Sequence, residues 1–391
     1  MKFADWKRTI KARGLRNAPR SAVFLAAMLV IALPPAFAGG PGSVGMQVLK
    51  TDMSPRAAGM GGAFVAVADD VYSMNYNPAG LARLYNPEVS AMYLAGFDDS
   101  TLSHFAFGMP LPFLGMAGLE KSGFGMSLML SDAGKFDYNG ILPDGSVVSK
   151  SYAAQKDLAL AFGYGEKVYS DDRNAVDQYL GANIKYIRST LLEDDTPPSA
   201  VAVDAGWLLT KSDIGVSVGA SLANFGSGLK YGSEITKLPS TIRLGAAYQH
   251  TTVRDQAILL SLEGDSYVNE AQKSLRFGLE YQFQSIFKLR LGYRGVEDNK
   301  GFTMGFGLNY GDLALDMSLG LANAVYNASQ VALSYKFSGV TAAKYTKTNS
   351  YRDPEPRKAA PSRSKYQTPR SSHKPAGGQE NKKDADFLLL Y

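Results

Sequence analysis

Cysteine and histidine, the residue types that most often carry catalytic or metal chemistry, are sparse in this chain. Cysteine is absent, and the three histidines are His104, His250 and His373. No disulfide, thiolate ligand, cysteine nucleophile or lipid-modified N-terminal cysteine is therefore available. Histidines so far apart offer no metal set, and no cofactor is expected. A serine hydrolase needs Ser, His and Asp to converge. Only His104 and His250 fall in the body of the chain, and no G-x-S-x-G elbow accompanies them, so an enzyme is not expected. The charges to single out are Arg56, Asp69 and Asp70, beside Gly59, Gly61 and Gly62 and followed by Asn77-Pro78-Ala79-Gly80. The glycines could cradle a phosphate, but they follow no strand and lack a Lys-Ser/Thr ending. A compact plug reads better, with Arg56 paired to one of the aspartates or to a surrounding wall, since an unpaired buried charge is costly. Met60, Phe64, Val65, Tyr72, Met74 and Tyr76 are candidates to line a ligand pocket, or simply to pack that plug.

What must surround such a plug follows from a two-residue rhythm that runs from about residue 89 to 337. In Leu275-Arg276-Phe277-Gly278-Leu279-Glu280-Tyr281-Gln282-Phe283 every odd position is large and apolar, and every even one is small or polar. Successive side chains on a strand point to opposite faces, so each such segment has one apolar face and one wet one. Fourteen segments alternate in this way. Many carry a tyrosine near one end (Tyr164, Tyr186, Tyr248, Tyr281, Tyr293, Tyr310, Tyr335), the place of an interfacial aromatic girdle. Connections after the sixth, tenth and twelfth segments are tight, at 210–213, 284–286 and 311–312. Those at 131–156 and 223–239, after odd-numbered segments, are long. An even strand count with short turns at one end and long loops at the other predicts an all-β fold: a transmembrane antiparallel barrel of about 14 strands, with an N-terminal plug containing short helices. A soluble β-sandwich would also alternate.

The faces opposite the apolar ones hold Gly163, Gly181, Asn183, Lys185, Asp204, Gly245, Arg290, Arg294, Gly305, Gly307 and Asp316. Turned inward, they would leave a roomy polar lumen that a plug must fill if the barrel is not an open pore. Residues 39–88 do not alternate and supply that hatch. Asp69 or Asp70 is placed to cap a short helix over 71–76, and Pro78 prevents its continuation.

The ends read differently. Lys7, Arg8, Lys11, Arg13, Arg16 and Arg20 precede an apolar run at 22–33 and Ala36-Phe37-Ala38, the order of a secretory signal peptide with cleavage after Ala38. The run is short for a spanning anchor helix, and no later stretch of about 20 apolar residues follows it. Residues 339–391 are rich in Pro, Ser, Lys and Arg, a composition expected to be disordered, and end on Phe-Leu-Leu-Leu-Tyr at 387–391. Charge divides along the same lines. The net +5 comes from 7 basic and 1 acidic residues in 1–38 and 11 and 5 in 339–391, leaving 23 and 30 in the body, a net of −7. A nucleic-acid partner is thereby not expected.

The segment 56–81, ending Asn77-Pro78-Ala79-Gly80-Leu81, resembles the PorV/PorQ family, which is similar in turn to the FadL-like outer-membrane barrels. Weaker matches lie in Asn224-Phe225-Gly226 with Leu238-Pro239, in Arg243-Leu244-Gly245, and in Gly301-Phe302 through Gly305-Phe306-Gly307. The resemblance covers about residues 51–337; the 339–391 tail departs from it. It implies a fourteen-stranded barrel (89–338) around an N-terminal hatch (39–88), with Asn77, Pro78 and Ala79 as the hatch's Asn-Pro-Ala sequence. It implies outer-membrane lipid and the barrel-assembly machinery as partners. Cargo would be hydrophobic small molecules, as for FadL, or exported proteins in type IX secretion, as for PorV. Fold alone does not decide between these roles.

Overall fold

The computed structural model describes residues 40, 42–96, 99–191, 196–252, 256–270, 272–295, 300–322 and 329–338. The expected signal peptide, its cleavage site and the 339–391 tail lie outside the described residues.

Alternation resolves into strands β1 (Glu88–Ala95), β2 (Thr101–Pro110), β3 (Ser122–Asp132), β4 (Lys135–Ile141), β5 (Val147–Ala153), β6 (Gln155–Asp171), β7 (Val176–Leu191), β8 (Ser199–Lys211) and β9 (Val216–Gly226). They are followed by β10 (Leu229–Tyr231), β11 (Glu234–Thr236), β12 (Thr241–Thr252), β13 (Gln256–Tyr267), β14 (Gln272–Phe283), β15 (Phe287–Gly295), β16 (Gly301–Tyr310), β17 (Leu313–Ala322) and β18 (Ser329–Lys336). Fourteen of them close into one antiparallel barrel, with β18 returning to pair β1 from Glu88↔Lys336 to Ala95↔Ser329. Closure leaves the barrel no unpaired edge, so every backbone group of its wall can be satisfied within the sheet.

β4–β5 and β10–β11 are separate two-stranded hairpins inside the two long connections. They correct the expectation of plain loops there. Both faces of β4 are exposed, so its sequence shows no alternation to read. The tight turns fall at the barrel end where β1 starts and β18 finishes, hereafter the short-turn end. At 284–285 both central residues have positive φ (49° and 56°), the geometry that matches the twist of a tight hairpin. The turn expected at 210–213 lies at 212–215, because β8 runs on to Lys211 and the reversal is made at Gly215, φ +69°. Ile214, read as strand, therefore sits in that turn. One connection at this end is long, 111–121.

The apolar face of each strand points outward. β1 alternates buried and exposed from Glu88 to Ala95, and Leu289, Leu291 and Tyr293 of β15 are all exposed. Tyr248, Tyr310 and Tyr335 ring the short-turn end, with Tyr93, Tyr186 and Tyr293 toward the other. The inward face is small or polar, and the chain preceding β1 packs against it. Met60, Phe64, Val65, Tyr72 and Tyr76 form one buried cluster with wall residues Met92, Leu102, Met129 and Leu259. Met74 and Leu81 form a second with Leu84 and Ala161. Each large side chain so buried contributes about 1.5–3 kcal/mol.

Candidate functional site

The interface between the N-terminal segment and the inner wall concentrates the chain's buried charge. It begins at helix α1 (Pro55–Gly59), whose N-cap Ser54 accepts a hydrogen bond from Ala57 N, with Pro55 in the first turn. This cap aims Arg56 at the wall. Its Nε and Nη2 each lie 3.0 Å from Glu280 of β14, and Nη1 lies 2.5 Å from Asp69 and 3.1 Å from Asp70. Glu280 also accepts from Arg290 Nε at 2.6 Å, and Arg290 Nη1 reaches Asp316 of β17 at 2.6 Å. An unbroken chain of ion pairs thus joins the segment to β14, β15 and β17, satisfying both alternatives read for Arg56. Burial pushes Asp70 up from its ordinary value, with Arg56 offsetting only part of that. Burial also opposes the charge of Asp69, but Arg56 and Arg83 hold it below the usual carboxylate range.

The glycines set the distance of approach. A Cβ on Gly59 would stand 2.8 Å from Gly305 Cα, so α1 touches β16 backbone to backbone. Gly61 and Gly62 have φ of +67° and +83°, a conformation other residues adopt only with strain. That turn lets Gly61 N donate to Thr303 Oγ1 at 2.9 Å. It also presents Phe64 N and Val65 N together to one oxygen of Glu263, both at 2.7 Å.

Asp70 Oδ1 accepts from Tyr72 N at 3.0 Å, capping the turn that leads into helix α2 (Ser73–Tyr76). The helix is shorter than expected because Val71 and Tyr72 belong to that turn. Asn77 follows, fully buried, and ties two parts of the hatch to one wall strand. Its Nδ2 donates to Val65 O and to Trp207 O of β8, both at 2.9 Å, and its Oδ1 accepts from Ala79 N at 3.2 Å. Pro78 opens a 3-10 turn over Pro78–Arg83, as its fixed φ and missing N–H favour, and Ala79 and Gly80 are buried in it.

Two further polar groups complete the interface. Asp52 pairs with Arg276 at 3.3 Å and with Arg294. Burial works against its charge, yet Arg294, Arg276 and Arg243 hold it below its ordinary value. On the far wall Lys185 lies 2.7 Å from Asp204 and 2.8 Å from Asn224. Asn183 donates to Met74 O at 2.5 Å. Asn224 sits at φ +61° where the β8–β9 register slips between Val203 and Ala205, and its N–H donates to Asp204 at 2.8 Å.

Between these groups lies a cavity of about 30 Å³, lined by Asp52, Tyr76, His104, Lys185, Asn224 and Arg243 among others. It has room for a water or two. Of the residues read as ligand-lining, Tyr76 borders it. Met60, Phe64, Tyr72 and Met74 do not; each is at most 4 % exposed within the packed clusters. In this conformation they pack the interface between hatch and wall. His104 Nε2 pairs with Asn75 and its ring stacks on Tyr72, whereas His250 stacks on Tyr248, so the two histidines belong to separate places. Sequence reading missed Glu263, Glu280, Asp52 and Arg276, which sit on alternating strands or before the glycines with no local motif to mark them.

The molecule is therefore a closed fourteen-strand barrel, apolar outside, with its own N-terminal segment latched into its lumen; outer-membrane barrels have this architecture. No protein-family model matches the chain, and no curated protein matches it. Among solved structures it is similar to the Pseudomonas putida toluene transporter TodX, at 12 % identity over 76 % of this chain and 99 % of that one, TM-score 0.49. The Ralstonia pickettii toluene transporter TbuX gives 12 %, 73 %, 98 % and 0.48, and a Pseudomonas aeruginosa FadL homologue 10 %, 73 %, 98 % and 0.44.

Proposed function

We propose that the chain is an outer-membrane barrel that binds or moves hydrophobic molecules, with residues 39–88 acting as a movable hatch. The supporting observation is the nature of the seal. Beside the buried apolar clusters, the hatch is held to the wall by ion pairs and side-chain-to-backbone hydrogen bonds, which can break and re-form, and the cavity between them has room for a water or two. On this reading cargo passes when the hatch shifts. The outward apolar faces meet lipid, the short-turn end faces the periplasm, and the 339–391 tail emerges there. Export by the 1–38 signal and insertion by the barrel-assembly machinery belong to the same reading. The finer kinship with PorV/PorQ rests on the 56–81 motif, and no feature of the described residues favours a role in type IX secretion.

The test is uptake of a radiolabelled alkylbenzene or long-chain fatty acid by cells whose outer membrane carries this barrel. Uptake that rises over empty membranes, and changes when Asn77 or Arg56 is replaced, supports the reading. Uptake equal to empty membranes, with exported proteins co-purifying instead, replaces it with the secretion role.

A further inference from the structure

The 111–121 connection is the one long turn among those described at the short-turn end, and it does not extend away from the barrel. Glu166 of β6 shows where it goes. Its even-numbered neighbours Phe162 and Tyr164 face outward, Gly163 and Gly165 face the hatch, and its cross-strand partner Leu180 is exposed on the outer surface. Glu166 therefore points to the outside, yet is only 8 % exposed. The connection covers it. Met116 N donates to the Glu166 carboxylate at 2.5 Å, and the Tyr164 hydroxyl does so at 2.9 Å. Ser122 Oγ donates to Phe113 O at 3.3 Å, and Lys167 N to Lys121 O at 2.9 Å.

This clasp turns an apolar sequence outward. Residues 110–119, Pro-Leu-Pro-Phe-Leu-Gly-Met-Ala-Gly-Leu, carry no charge. Phe113 is 52 % exposed and Met116 85 %. Beside them Lys121 lies 4.6 Å above the exposed ring of Tyr85, with its ammonium 3.3 Å from the hydroxyl. An apolar loop next to a Lys–Tyr pair, continuous with the outward apolar faces of β3 and β6, matches the boundary between lipid headgroups and acyl chains. We propose that residues 111–119 insert into the periplasmic leaflet as an interfacial anchor. Phe113 and Met116 enter the acyl boundary, Lys121 meets the phosphates, and Glu166 is the buried clasp that holds the loop against the wall. The partner is a glycerophospholipid leaflet. The inference rests on the membrane reading above.

Absence of native cysteine makes the test direct. The full chain carrying Met116→Cys, labelled with an environment-sensitive fluorophore, is placed in phosphatidylethanolamine–phosphatidylglycerol vesicles holding lipids with a shallow nitroxide quencher. Leu291→Cys on the outward face of β15 and Asp213→Cys in an exposed turn at the same end are labelled alongside. The expected result is blue-shifted emission at position 116, quenched by nitroxide lipid several-fold more than at 213 and shielded from aqueous iodide. Glu166→Ala should move the 116 label toward the behaviour of 213. If 291 is quenched by lipid but 116 behaves like 213, the anchor is refuted and the loop is free for a protein partner. If 291 is not quenched either, the membrane reading itself has failed.

Discussion

Replacing Arg56 by alanine should unseat the hatch and leave the barrel standing. The side chain makes four contacts with three carboxylates, and its loss strands Asp69, Asp70 and one side of Glu280 in a buried interface. Removing one partner of a buried pair costs about 3–5 kcal/mol. Two features reduce that figure: Glu280 keeps Arg290 at 2.6 Å, and the side chain of Asp69 is 33 % exposed. A loss of about 2–4 kcal/mol follows, which raises the displaced-hatch population roughly 30- to 700-fold at about 1.4 kcal/mol per tenfold. The wall ladder does not pass through Arg56, so heat-modifiable migration should stay unchanged. Planar-bilayer recording reads the difference, since a fourteen-strand lumen conducts once its plug is displaced. The native protein should be quiet and the variant should show frequent openings; Arg56→Lys should fall between, keeping the charge but losing the fork. A folded Arg56→Ala barrel that stays as quiet as the native one, with its hatch equally protected from protease, would refute the latch.

Other perturbations follow from the same contacts. Asn77→Ala removes three hydrogen bonds, worth about 2–4 kcal/mol together, and should expose residues 60–80 to protease before any barrel strand melts. Gly61→Ala adds a Cβ within 2.8 Å of two wall carbonyls at positive φ, and should cost more than the ~1 kcal/mol of backbone strain alone, read as a lower unfolding midpoint. Acid should loosen the hatch. Asp52 and Asp69 have lowered pKa values, so their stabilisation is present above the ordinary value of 3.8 and lost as pH falls through the depressed folded value; Asp70, shifted upward, works the other way and blunts the change. Conductance that begins only below that pH agrees with this sign, whereas openings that appear on raising pH from neutral contradict it.

Legibility in the sequence tracked the contrast between surroundings. All fourteen wall strands could be read because each divides an apolar exterior from a hatch-filled interior, and that contrast prints a period of two, as in β14 with Leu275 and Phe277 out and Arg276 in. β4–β5 and β10–β11 lack the contrast, and their pairing was invisible. The bond from Arg56 to Asp69 and Asp70 spans 13 and 14 residues inside one motif, so charge arithmetic found it. Glu263 answers amides 198 and 199 residues away and has an ordinary acidic neighbour, Asp265, on the same inner face. Nothing local distinguishes it, because what makes it a receptor is the turn at Gly61–Gly62 arriving from another part of the chain.

That arrangement also explains why the wall can hold a hatch without fusing to it. An apolar seal over the whole interface would resist displacement in proportion to its area, with no single contact able to release it. Here the main apolar cluster draws its wall residues from β18 round through β1, β2, β3 and on to β13, as Met92, Leu102, Met129 and Leu259 do, and none from β14 to β17, which meet the hatch through Arg56, Glu280, Arg290 and Asp316. Displacement can therefore start on the charged flank, where water entering can solvate each ion as its pair breaks, and leave the apolar flank as a hinge. A double replacement, Arg56→Met with Glu280→Gln, separates the two contributions. Removing both charges spares Glu280 an unpaired charge but leaves Asp69 and Asp70 without Arg56 and Arg290 with Asp316 alone, so the hatch is held more firmly than in Arg56→Ala only where the Arg56–Glu280 pair dominates this flank. If the double variant opens as freely as the single one, coupling between these two groups is not what closes the charged flank.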